Sequence, residues 1–434
     1  MTILSAKNFE AYWKQFGPGE AGTAETGSAP VDGVVQAIID GVRSGGDRAL
    51  RDYAARFDRG IPENLEVPLA EARRALAELE AADPKLVSAL RLAANHIRAF
   101  AELQRRQFAD FEVELDPGLF TGQRCIPVER AAVYVPAGRF PLISTVLMGV
   151  IPAKTAGVNQ VVLVSPPLED GKVDRRILAA AALAGADRIF AVGGAQAIAA
   201  LAFGTETVPR CDVIVGPGNK YVATAKRLLY GQVGIDFVAG PTDVLIIADG
   251  SADPDRLAAD LLAQAEHDPD ARARALVPDQ AMAEAVRSAI EARLSRLSTA
   301  ETARASLDAG GLLIIYDTLE EALRIANTIA PEHLELHLVG SEDLIPRFRN
   351  YGSIFVGSLA AEVLGDYSAG INHTLPTSTS ARYTGGLSVR HFIKTVTSLR
   401  CERTENYEAS RQAAAVIAQA EGLEAHRQSA ESRG

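Results

Sequence analysis

Four short runs of aliphatic and β-branched residues decide the fold that this sequence predicts: AAVYV at 131–135, QVVLVS at 160–165, RIFAVGG at 188–194 and CDVIVGPG at 211–218. Each run is followed by a stretch with the three- and four-residue apolar spacing of a helix. Strands that alternate with helices in this way form a parallel sheet with helices on both faces. We therefore predict a doubly wound α/β domain over residues 134–240.

A second set of apolar runs lies between Pro241 and Thr384, whereas the apolar spacing before the first set predicts only helices. The strands of the second set are DVLIIAD at 243–249, RALVP at 274–278, GLLIIYD at 311–317, HLELHL at 333–338 and SIFVG at 353–357. We group residues 27–133 with residues 241–384 as one α/β domain and expect both domains to hold incomplete Rossmann-like sheets. A ligand cleft is expected between them.

The two ends of the chain differ from this body. Residues 1–26 predict a short amphipathic helix at 5–16 and the start of a linker, GPGEAGTAETGSAPVDG at 17–33, which is rich in Gly, Pro, Ser and Thr. Residues 385–434 begin as a strand or short helix and continue as a charged helix with a narrow Ala/Val/Ile stripe. We interpret them as an arm that packs on a partner subunit, with a solvated tail as the alternative.

Composition limits the class of protein. A chain of 434 residues is long enough for two domains, and its net charge of −11 disfavours nucleic-acid partners. Cys125, Cys211 and Cys401 are widely spaced and form no CxxC pair, so neither a disulfide framework nor a thiolate zinc site is indicated. Since no apolar run approaches about 18 residues, we predict a cytoplasmic protein without membrane contact, whose partners are small molecules or copies of itself.

A polar stripe lies on the helix predicted between about Asp255 and His267. Asp260, Gln264 and His267 fall at positions i, i+4 and i+7 and therefore share one face. Such a stripe is more often a solvated surface, but a glutamine and a histidine on one face can also hold a metal such as zinc. Both interpretations stay open on this segment alone.

The stretch APEHLELHL at 330–338 places His333, Glu335 and His337 at alternate positions. Three such side chains on one face of a strand would suit zinc, yet every second residue is leucine. We interpret this alternation as a half-buried strand whose outer face carries Glu335 and His337. Glu332 and His333 differ because they stand at the start of the strand, where a carboxylate and an imidazole can face a cleft as an acid and base pair.

Two further segments carry candidate groups. Asp366 and His373 lie in a long Gly-rich loop after a strand, a common place for catalytic groups in α/β domains, although a structural loop is equally consistent. The segment GPGNKYVATAK at 216–226 follows a strand and opens a helix, so its backbone amides can meet a polar cofactor group. It lacks the third glycine of GxGxxG, and the dinucleotide fingerprint is not matched.

Together these motifs resemble the histidinol dehydrogenase family over nearly the entire chain. Seven segments carry the resemblance in order: GGAQAIAALAFGTETVP, VGPGNKYVATAKR, AGPTDVLIIAD, DLLAQAEH, APEHLEL, GDYSAGINHTLPT and EGLEAH. The resemblance implies a homodimeric, zinc-containing, NAD-dependent enzyme with an active site shared between subunits. Its expected reaction takes L-histidinol through L-histidinal to L-histidine with two NAD, at the end of histidine biosynthesis.

The resemblance also implies roles for individual residues. His333 would take the hydroxyl proton, and Glu332 would activate water for attack on the aldehyde. The zinc ligands would be Gln264, His267, Asp366 and His426 of the partner subunit. The substrate would meet these ligands and His333 together with Thr242, His373 and Glu421 of the partner subunit. The cofactor positions are Tyr134, Gln196 and Asn219.

Departures from the family pattern leave the substrate open. The segment YVPAGRF at 134–140 has Ala137 in place of a glycine and adds Arg139, and Thr242 stands where the family commonly has serine. Arg139 is either a plain surface residue or a group that accepts an anionic substrate. The alternatives are a related dehydrogenase of another small polar alcohol such as a sulfonated diol, a zinc hydrolase with Glu332 as its base, and a metal-binding scaffold. The choice between NAD and NADP is not determined by the sequence.

Overall fold

The computed structural model describes residues 1–17, 28–137 and 141–434. Most of the linker expected at 17–33 lies outside the described residues, and so does Arg139. The next helix already begins at Ser28, earlier than the expected end of the linker. In the described parts of the chain, no helix is long and apolar enough to cross a membrane. The cytoplasmic location stays a prediction.

In its described residues, the amino-terminal region supplies four strands and four helices before the first strand of the central α/β body. In chain order its elements are β1 (Thr2–Ser5), α1 (Ala6–Phe16), α2 (Ser28–Phe57), β2 (Glu66–Val67), α3 (Leu69–Ala82), α4 (Pro84–Arg105), β3 (Phe111–Asp116) and β4 (Leu119–Pro127). The amphipathic helix expected at 5–16 is confirmed by α1. Within α2, Gly46 breaks the helical geometry with a φ of 53°, a value that glycine adopts without steric cost.

The first large sheet is the predicted doubly wound one. Its chain order is β5 (Arg130–Tyr134), α5 (Ile143–Ala156), β6 (Gln160–Ser165), α6 (Arg175–Ala184), β7 (Arg188–Ala191), α7 (Gly194–Phe203), β8 (Val213–Val215), α8 (Lys220–Leu229) and β9 (Gly234–Ile235). The strand order is β2-β7-β6-β5-β8-β9, and only β2 pairs antiparallel. Both faces are covered, since Ala131 and Val133 pack in one core and Ala132 and Tyr134 in another.

The second large sheet repeats this arrangement without any repeat in the sequence. Its elements are β10 (Asp243–Ala248), α9 (Pro254–Ala265), β11 (Arg272–Val277), α10 (Gln280–Leu294), α11 (Ala300–Gly310), β12 (Leu312–Ile315), α12 (Leu319–Ile329), β13 (His333–His337), β14 (Ser353–Val356) and α13 (Glu362–Tyr367). The order β1-β12-β11-β10-β13-β14 is parallel throughout. The strand β5 lies between β6 and β8 in the first sheet, and β10 lies between β11 and β13 in the second. Each sheet therefore has a point where the strand order reverses, and ligands commonly bind at such a switch point.

The carboxyl-terminal arm is joined to the body through a small antiparallel sheet. Its elements are β15 (Ile393–Cys401), α14 (Glu405–Ala420) and α15 (Glu424–Glu431). β15 pairs with β4, which in turn pairs with β3. On α14, Val416 and Ile417 are 65% and 59% exposed. An apolar stripe left open to solvent on a single chain is consistent with the predicted arm that packs on a partner, and that role stays a prediction.

The packing of the amino-terminal helices differs from the predicted domain grouping. Residues 27–133 were expected to join residues 241–384, but α2 packs on α7, α3 on α6 and α4 on α5, all beside the first large sheet. The physical reason is that the apolar faces of these helices complete the two cores of that sheet, with Val35 and Ile39 in one and Leu90 and Ile97 in the other. Conversely, β1 and α1 join the second sheet.

Candidate active site

A cavity of about 180 Å³ lies between the two α/β units, where the cleft was predicted. Its lining includes Leu142, Thr145 and Pro217 from segments that follow β5 and β8, and Thr242 and Glu332 from segments that precede β10 and β13. The carboxyl edge of the first sheet therefore faces the amino edge of the second. Side chains from both units, including His267, His333, Glu362, Asp366 and His373, complete the lining.

Glu332 is a buried carboxyl group held by two donors. Its Oε2 accepts hydrogen bonds from the Thr242 hydroxyl at 2.5 Å and from the Asp243 backbone amide at 3.1 Å. Burial raises the pKa of Glu332 well above its usual value, the nearby Asp243 raises it further, and the Thr242 hydrogen bond opposes the rise. A buried carboxyl group with a raised pKa is a stronger base than an ordinary carboxylate once it is ionised, which suits general acid and base catalysis.

His333 is the first residue of β13 and is held as a neutral ring. Burial lowers the pKa of His333 to about 3. Its Nδ1 lies 3.3 Å from the carbonyl oxygen of Asp243, so we assign the ring proton to Nδ1. Its Nε2 is buried and has no hydrogen-bond partner among the described residues. That nitrogen is therefore a vacant proton acceptor at the wall of the cavity.

A cluster able to hold a divalent cation lies beside this pair. His267, Glu362 and Asp366 each offer one ligand atom, and these atoms lie within 4.8 Å of one another. Burial and the neighbouring Asp366 raise the pKa of Glu362 well above its usual value, and burial followed by Glu335 raises the pKa of Asp366 to about 7. Buried carboxylates that lie close together repel one another, and a bound cation or bound protons reduce that repulsion.

Gln264 joins the same cluster. Its side chain is fully buried, with one terminal atom 2.7 Å from the Thr242 hydroxyl and the other 2.5 Å from Oε1 of Glu362. With the amide nitrogen on Thr242, the amide oxygen faces the Glu362 carboxylate and no donor lies between them. A cation or a proton would stabilise that arrangement, whereas exchanging the two atoms makes Gln264 a donor to Glu362. A mixed set of amide oxygen, imidazole and carboxylate suits zinc.

His373 closes the cavity from the Gly-rich loop. Its Nδ1 lies 3.1 Å from the carbonyl oxygen of Asp366, and its Nε2 lies 3.3 Å from the Thr145 hydroxyl. Burial lowers the pKa of His373 to about 4. His267 is solvent-exposed at the end of its helix, yet the protein around its ring lowers its pKa as well. Both rings are therefore neutral at physiological pH, the form that binds metals or accepts protons.

Two of the predicted site residues lie elsewhere in the single chain. Glu421 and His426 are exposed on the arm, at the end of α14 and in α15. They do not belong to the set of described residues that line the cavity. Their expected role assigns them to the partner's site, so the arrangement within one chain leaves that role a prediction.

The three predicted cofactor residues gather at the carboxyl edge of the first sheet. Gln196 and Asn219 line a second cavity of about 390 Å³. The Tyr134 hydroxyl accepts a hydrogen bond of 3.2 Å from the backbone amide of Gly194, which also lines that cavity. The side-chain oxygen of Asn219 caps α8 by accepting from two backbone amides, and Nε2 of Gln196 is buried with no partner in the described ranges.

The outer face predicted for the APEHLELHL strand is wrong. Glu335 is fully buried, and His337 is 4% exposed. The reason is that β13 lies between β10 and β14 in the interior of the sheet, with helices covering both of its faces. Nε2 of His337 lies 3.3 Å from Glu335 and 3.7 Å from Asp260. Asp260 is buried too, so the solvated alternative for the helix stripe is also wrong.

Sequence reasoning missed Glu362, the most buried carboxylate of the cation-binding cluster. It begins α13, a helix of six residues that follows β14 and gives no periodic signal of its own. One signal was present, because Glu362 and Asp366 are four residues apart and share a helix face. The amide of Glu362 donates to Oε1 of Glu335 at 2.7 Å, and this bond connects the cluster to the middle of β13.

The chain is similar to proteins of one family over most of its length. The family model described as histidinol dehydrogenase matches residues 22–434. The histidinol dehydrogenase of Methylococcus capsulatus is 48% identical over 402 residues, covering 92% of this chain and 91% of that protein. The histidinol dehydrogenase of Thermus thermophilus is 47% identical over 403 residues, covering 93% and 94%. The crystal structure of histidinol dehydrogenase from Elizabethkingia anophelis superimposes with a TM-score of 0.88 at 35% identity, over 93% of this chain and 92% of that one.

Proposed function

Because the chain belongs to the histidinol dehydrogenase family, we propose that it oxidises L-histidinol through L-histidinal to L-histidine with two NAD, the closing steps of histidine biosynthesis. The observation that carries this proposal is the pair Glu332 and His333, buried side by side in the cavity between the two α/β units. The first oxidation removes a hydride and a hydroxyl proton from the alcohol. The second needs water to add to the aldehyde before another hydride leaves.

His333 takes the first proton. Its ring is neutral because burial depresses its pKa, and the hydrogen bond at Nδ1 leaves Nε2 as the acceptor. The hydroxyl proton of histidinol would move to this nitrogen as a hydride leaves the carbon that bears the hydroxyl, which turns the alcohol into the aldehyde. A bound NAD would supply the hydride acceptor.

Glu332 performs the step with water. Its raised pKa makes it a stronger base than an ordinary carboxylate once it is ionised, and Thr242 with the Asp243 amide orients it. It takes a proton from water as the water oxygen attacks the aldehyde carbon. The addition gives the anion of the hydrate, which would become the carboxylic acid on losing a hydride, with a second NAD supplying the hydride acceptor.

We assign the zinc to Gln264, His267 and Asp366, with His426 of the partner subunit as the fourth ligand. The crowded acids around Asp366 and the mixed donor set support a divalent cation at this place. Zinc would hold the imidazole, amine or hydroxyl of the amino alcohol rather than generate hydroxide. The homodimer follows from this assignment, since the fourth ligand and Glu421 are exposed on the arm of the single chain.

We assign the substrate contacts to Thr242, His373 and Glu421 of the partner subunit, besides His333 and the metal ligands. Thr242 and His373 line the cavity that holds the acid and base pair, which supports this assignment. NAD is assigned to Tyr134, Gln196 and Asn219 at the 390 Å³ cavity. The loop from Gly216 to Asn219 connects the two cavities, because Pro217 lines the smaller one and Asn219 the larger one.

The stoichiometry of NADH formation tests the reaction. The purified zinc-loaded protein should form two NADH for each histidinol consumed, and Glu332→Gln should slow the aldehyde step more than the alcohol step. Glu342→Gln, at an exposed position, is the matched control and should behave like the unaltered protein. No NADH from histidinol, with NADH from a sulfonated diol, would contradict the substrate. Zinc-dependent hydrolysis without NADH would contradict the reaction class.

A further inference from the structure

The larger cavity, of about 390 Å³, contains the carboxylate of Asp58, which takes no part in the proposed reaction. Asp58 follows the last residue of α2 and lines the cavity. Its Oδ2 is buried and accepts no hydrogen bond from the part of the chain that the structure describes. Burial raises the pKa of Asp58 to about 6, and the nearby side-chain amide of Gln196 opposes the rise. Buried acceptors are rarely left unpaired, so this oxygen is suited to donors that a ligand brings.

The position of the cavity tells which part of a dinucleotide reaches Asp58. The nicotinamide must enter the smaller cavity, because the alcohol that gives up the hydride is proposed to bind against Glu332 and His333. The larger cavity adjoins it at the loop that contains Pro217 and Asn219. The larger cavity must then hold the portion of the dinucleotide beyond the nicotinamide, which consists of the diphosphate and the adenosine.

Aromatic side chains in the larger cavity favour the adenosine over the diphosphate as the portion beside Asp58. Phe57 and Tyr221 line the larger cavity and are 53% and 38% exposed. Exposed aromatic faces of this kind stack on nucleobases. A buried carboxylate repels a diphosphate but accepts hydrogen bonds from the hydroxyls of a ribose. Tyr53 and Arg56 already contact the Phe57 ring, and Lys220 contacts the Tyr221 ring. Each aromatic residue therefore has only part of its surface left for a base. The combination of Asp58 with these partly exposed rings matches adenosine.

We propose that Asp58 accepts hydrogen bonds from the ribose hydroxyls of the adenosine half of the cofactor and so selects NAD over NADP. This inference rests on the proposed use of a nicotinamide dinucleotide. The 2′-phosphate of NADP lacks the hydroxyl donor and adds negative charge next to a desolvated carboxylate. Arg59 also lines the cavity, so the loss of the Asp58 charge leaves a cation that favours the phosphate.

The experiment compares NADH and NADPH on the full-length protein, by titrating dihydronicotinamide fluorescence. The unaltered protein should bind NADH at least about tenfold more tightly than NADPH. In Asp58→Asn the Kd of NADH should rise about tenfold, while the Kd of NADPH stays equal or falls, because hydrogen bonds to a charged group have about this value. In turnover the change should fall on the KM of NAD rather than on kcat. Asp58→Ser should likewise lower the ratio of the NADPH Kd to the NADH Kd.

Asp52→Asn is the matched control, since Asp52 is exposed on α2 and does not line the cavity. It should leave both dissociation constants unchanged. An unaltered protein that prefers NADPH would overturn the proposal, and so would folded Asp58 variants that keep the original ratio of the two constants. If NADH binding depends on Asp58 but histidinol is not oxidised, the proposed function fails and the assignment of Asp58 stands.

Discussion

The Thr242 hydroxyl donates a hydrogen bond of 2.5 Å to Oε2 of Glu332, across the amino ends of β10 and β13. This bond stabilises the ionised carboxylate and opposes the rise in the pKa of Glu332 that burial causes. The bond therefore couples Thr242, which lines the cavity, to the strength of the proposed base.

Thr242→Val should move aldehyde oxidation to higher pH. The change removes one donor, so the pKa of Glu332 rises, and a larger fraction of the carboxyl is protonated and inactive at neutral pH. We expect a loss of about tenfold in the aldehyde step at pH 7, because one charge-assisted hydrogen bond has about this value. The pH profile of NADH formation from histidinal measures it. Thr242→Ser keeps the donor and should retain the original profile.

His267→Ala should remove the metal. The proposed zinc loses its imidazole ligand, and we expect binding at least about tenfold weaker, since each ligand contributes strongly to a four-coordinate site. Elemental analysis of metal per subunit after dialysis against a chelator is the measurement. Glu342→Gln alters an exposed carboxylate outside the cluster and should keep its metal. Full metal content in His267→Ala would contradict the ligand assignment.

Mixed dimers should test the shared site. Glu332→Ala and His426→Ala proteins should each be inactive alone, and co-refolding them should restore activity. Random pairing makes half of the dimers mixed, and each of these has one intact site of two, so the expected recovery is about one quarter. Refolding each variant with itself is the control. Absence of recovery, when dimers have formed, would argue against a site completed by the partner's arm.

The ion pair between Lys226 and Asp236 should be essential for stability. Both side chains are almost fully buried, and they hold Gly216 by its carbonyl oxygen and its amide. Asp236→Asn leaves a buried ammonium without its counter-charge, and we expect a loss of about 3–5 kcal/mol in the free energy of unfolding. Urea denaturation measures this loss. NADH binding should weaken with it, because Gly216 begins the loop that contains Asn219.

Arg227→Gln provides the contrast for that experiment. Arg227 follows Lys226 on α8 and forms an ion pair with Asp32. Both side chains of this pair are substantially exposed. Exposed pairs contribute about 0–1 kcal/mol, so this variant should unfold almost like the unaltered protein. Equal losses in the free energy of unfolding of Asp236→Asn and Arg227→Gln would contradict the expectation that a buried ion pair matters more than an exposed one.

Asp260 should make stability depend on pH. Burial, together with the charge of Glu335, raises the pKa of Asp260 to about 7. The folded state therefore binds a proton that the unfolded state has already released, and this stabilising contribution is lost as pH rises from about 4 to about 7. Asp260→Asn keeps the shape without the charge, so it should gain stability relative to the unaltered protein across that range. Thermal or urea unfolding at several pH values measures this trend, and an opposite or flat dependence on pH would contradict the prediction.

Local patterns in the sequence were sufficient for most of the fold. The βα alternation predicted both sheets, and Asp253 caps α9 with Pro254 in its first turn as expected. The error at Glu335 and His337 has a physical cause, since a period of two shows which side chains share a face but not whether that face is covered. Cover for this face comes from α9, where Asp260 lies beside His337, and from α13, where the Glu362 amide donates to Glu335. The same limitation hid the packing of α2, α3 and α4.

The site was predictable where a motif contained it and was missed where tertiary packing created it. Glu332, His333 and Asp366 belong to recognisable segments and line one cavity, and their roles stay predictions. Glu362 and Asp58 stand at helix ends, where an acidic residue is ordinary and most often solvated. Only the folded chain gives them burial and neighbours, and these determine their chemistry.

The opposed edges of the two sheets have a practical consequence for handling this protein. The proposed chemistry lies at the amino ends of β10 and β13, so the opposite ends of these strands are free for attachment. Val339, just beyond β13, is 79% exposed and lines neither cavity. It lies six residues beyond His333, roughly 20 Å along an extended chain. A fluorophore or a surface linker placed there would report on the enzyme without entering its cleft.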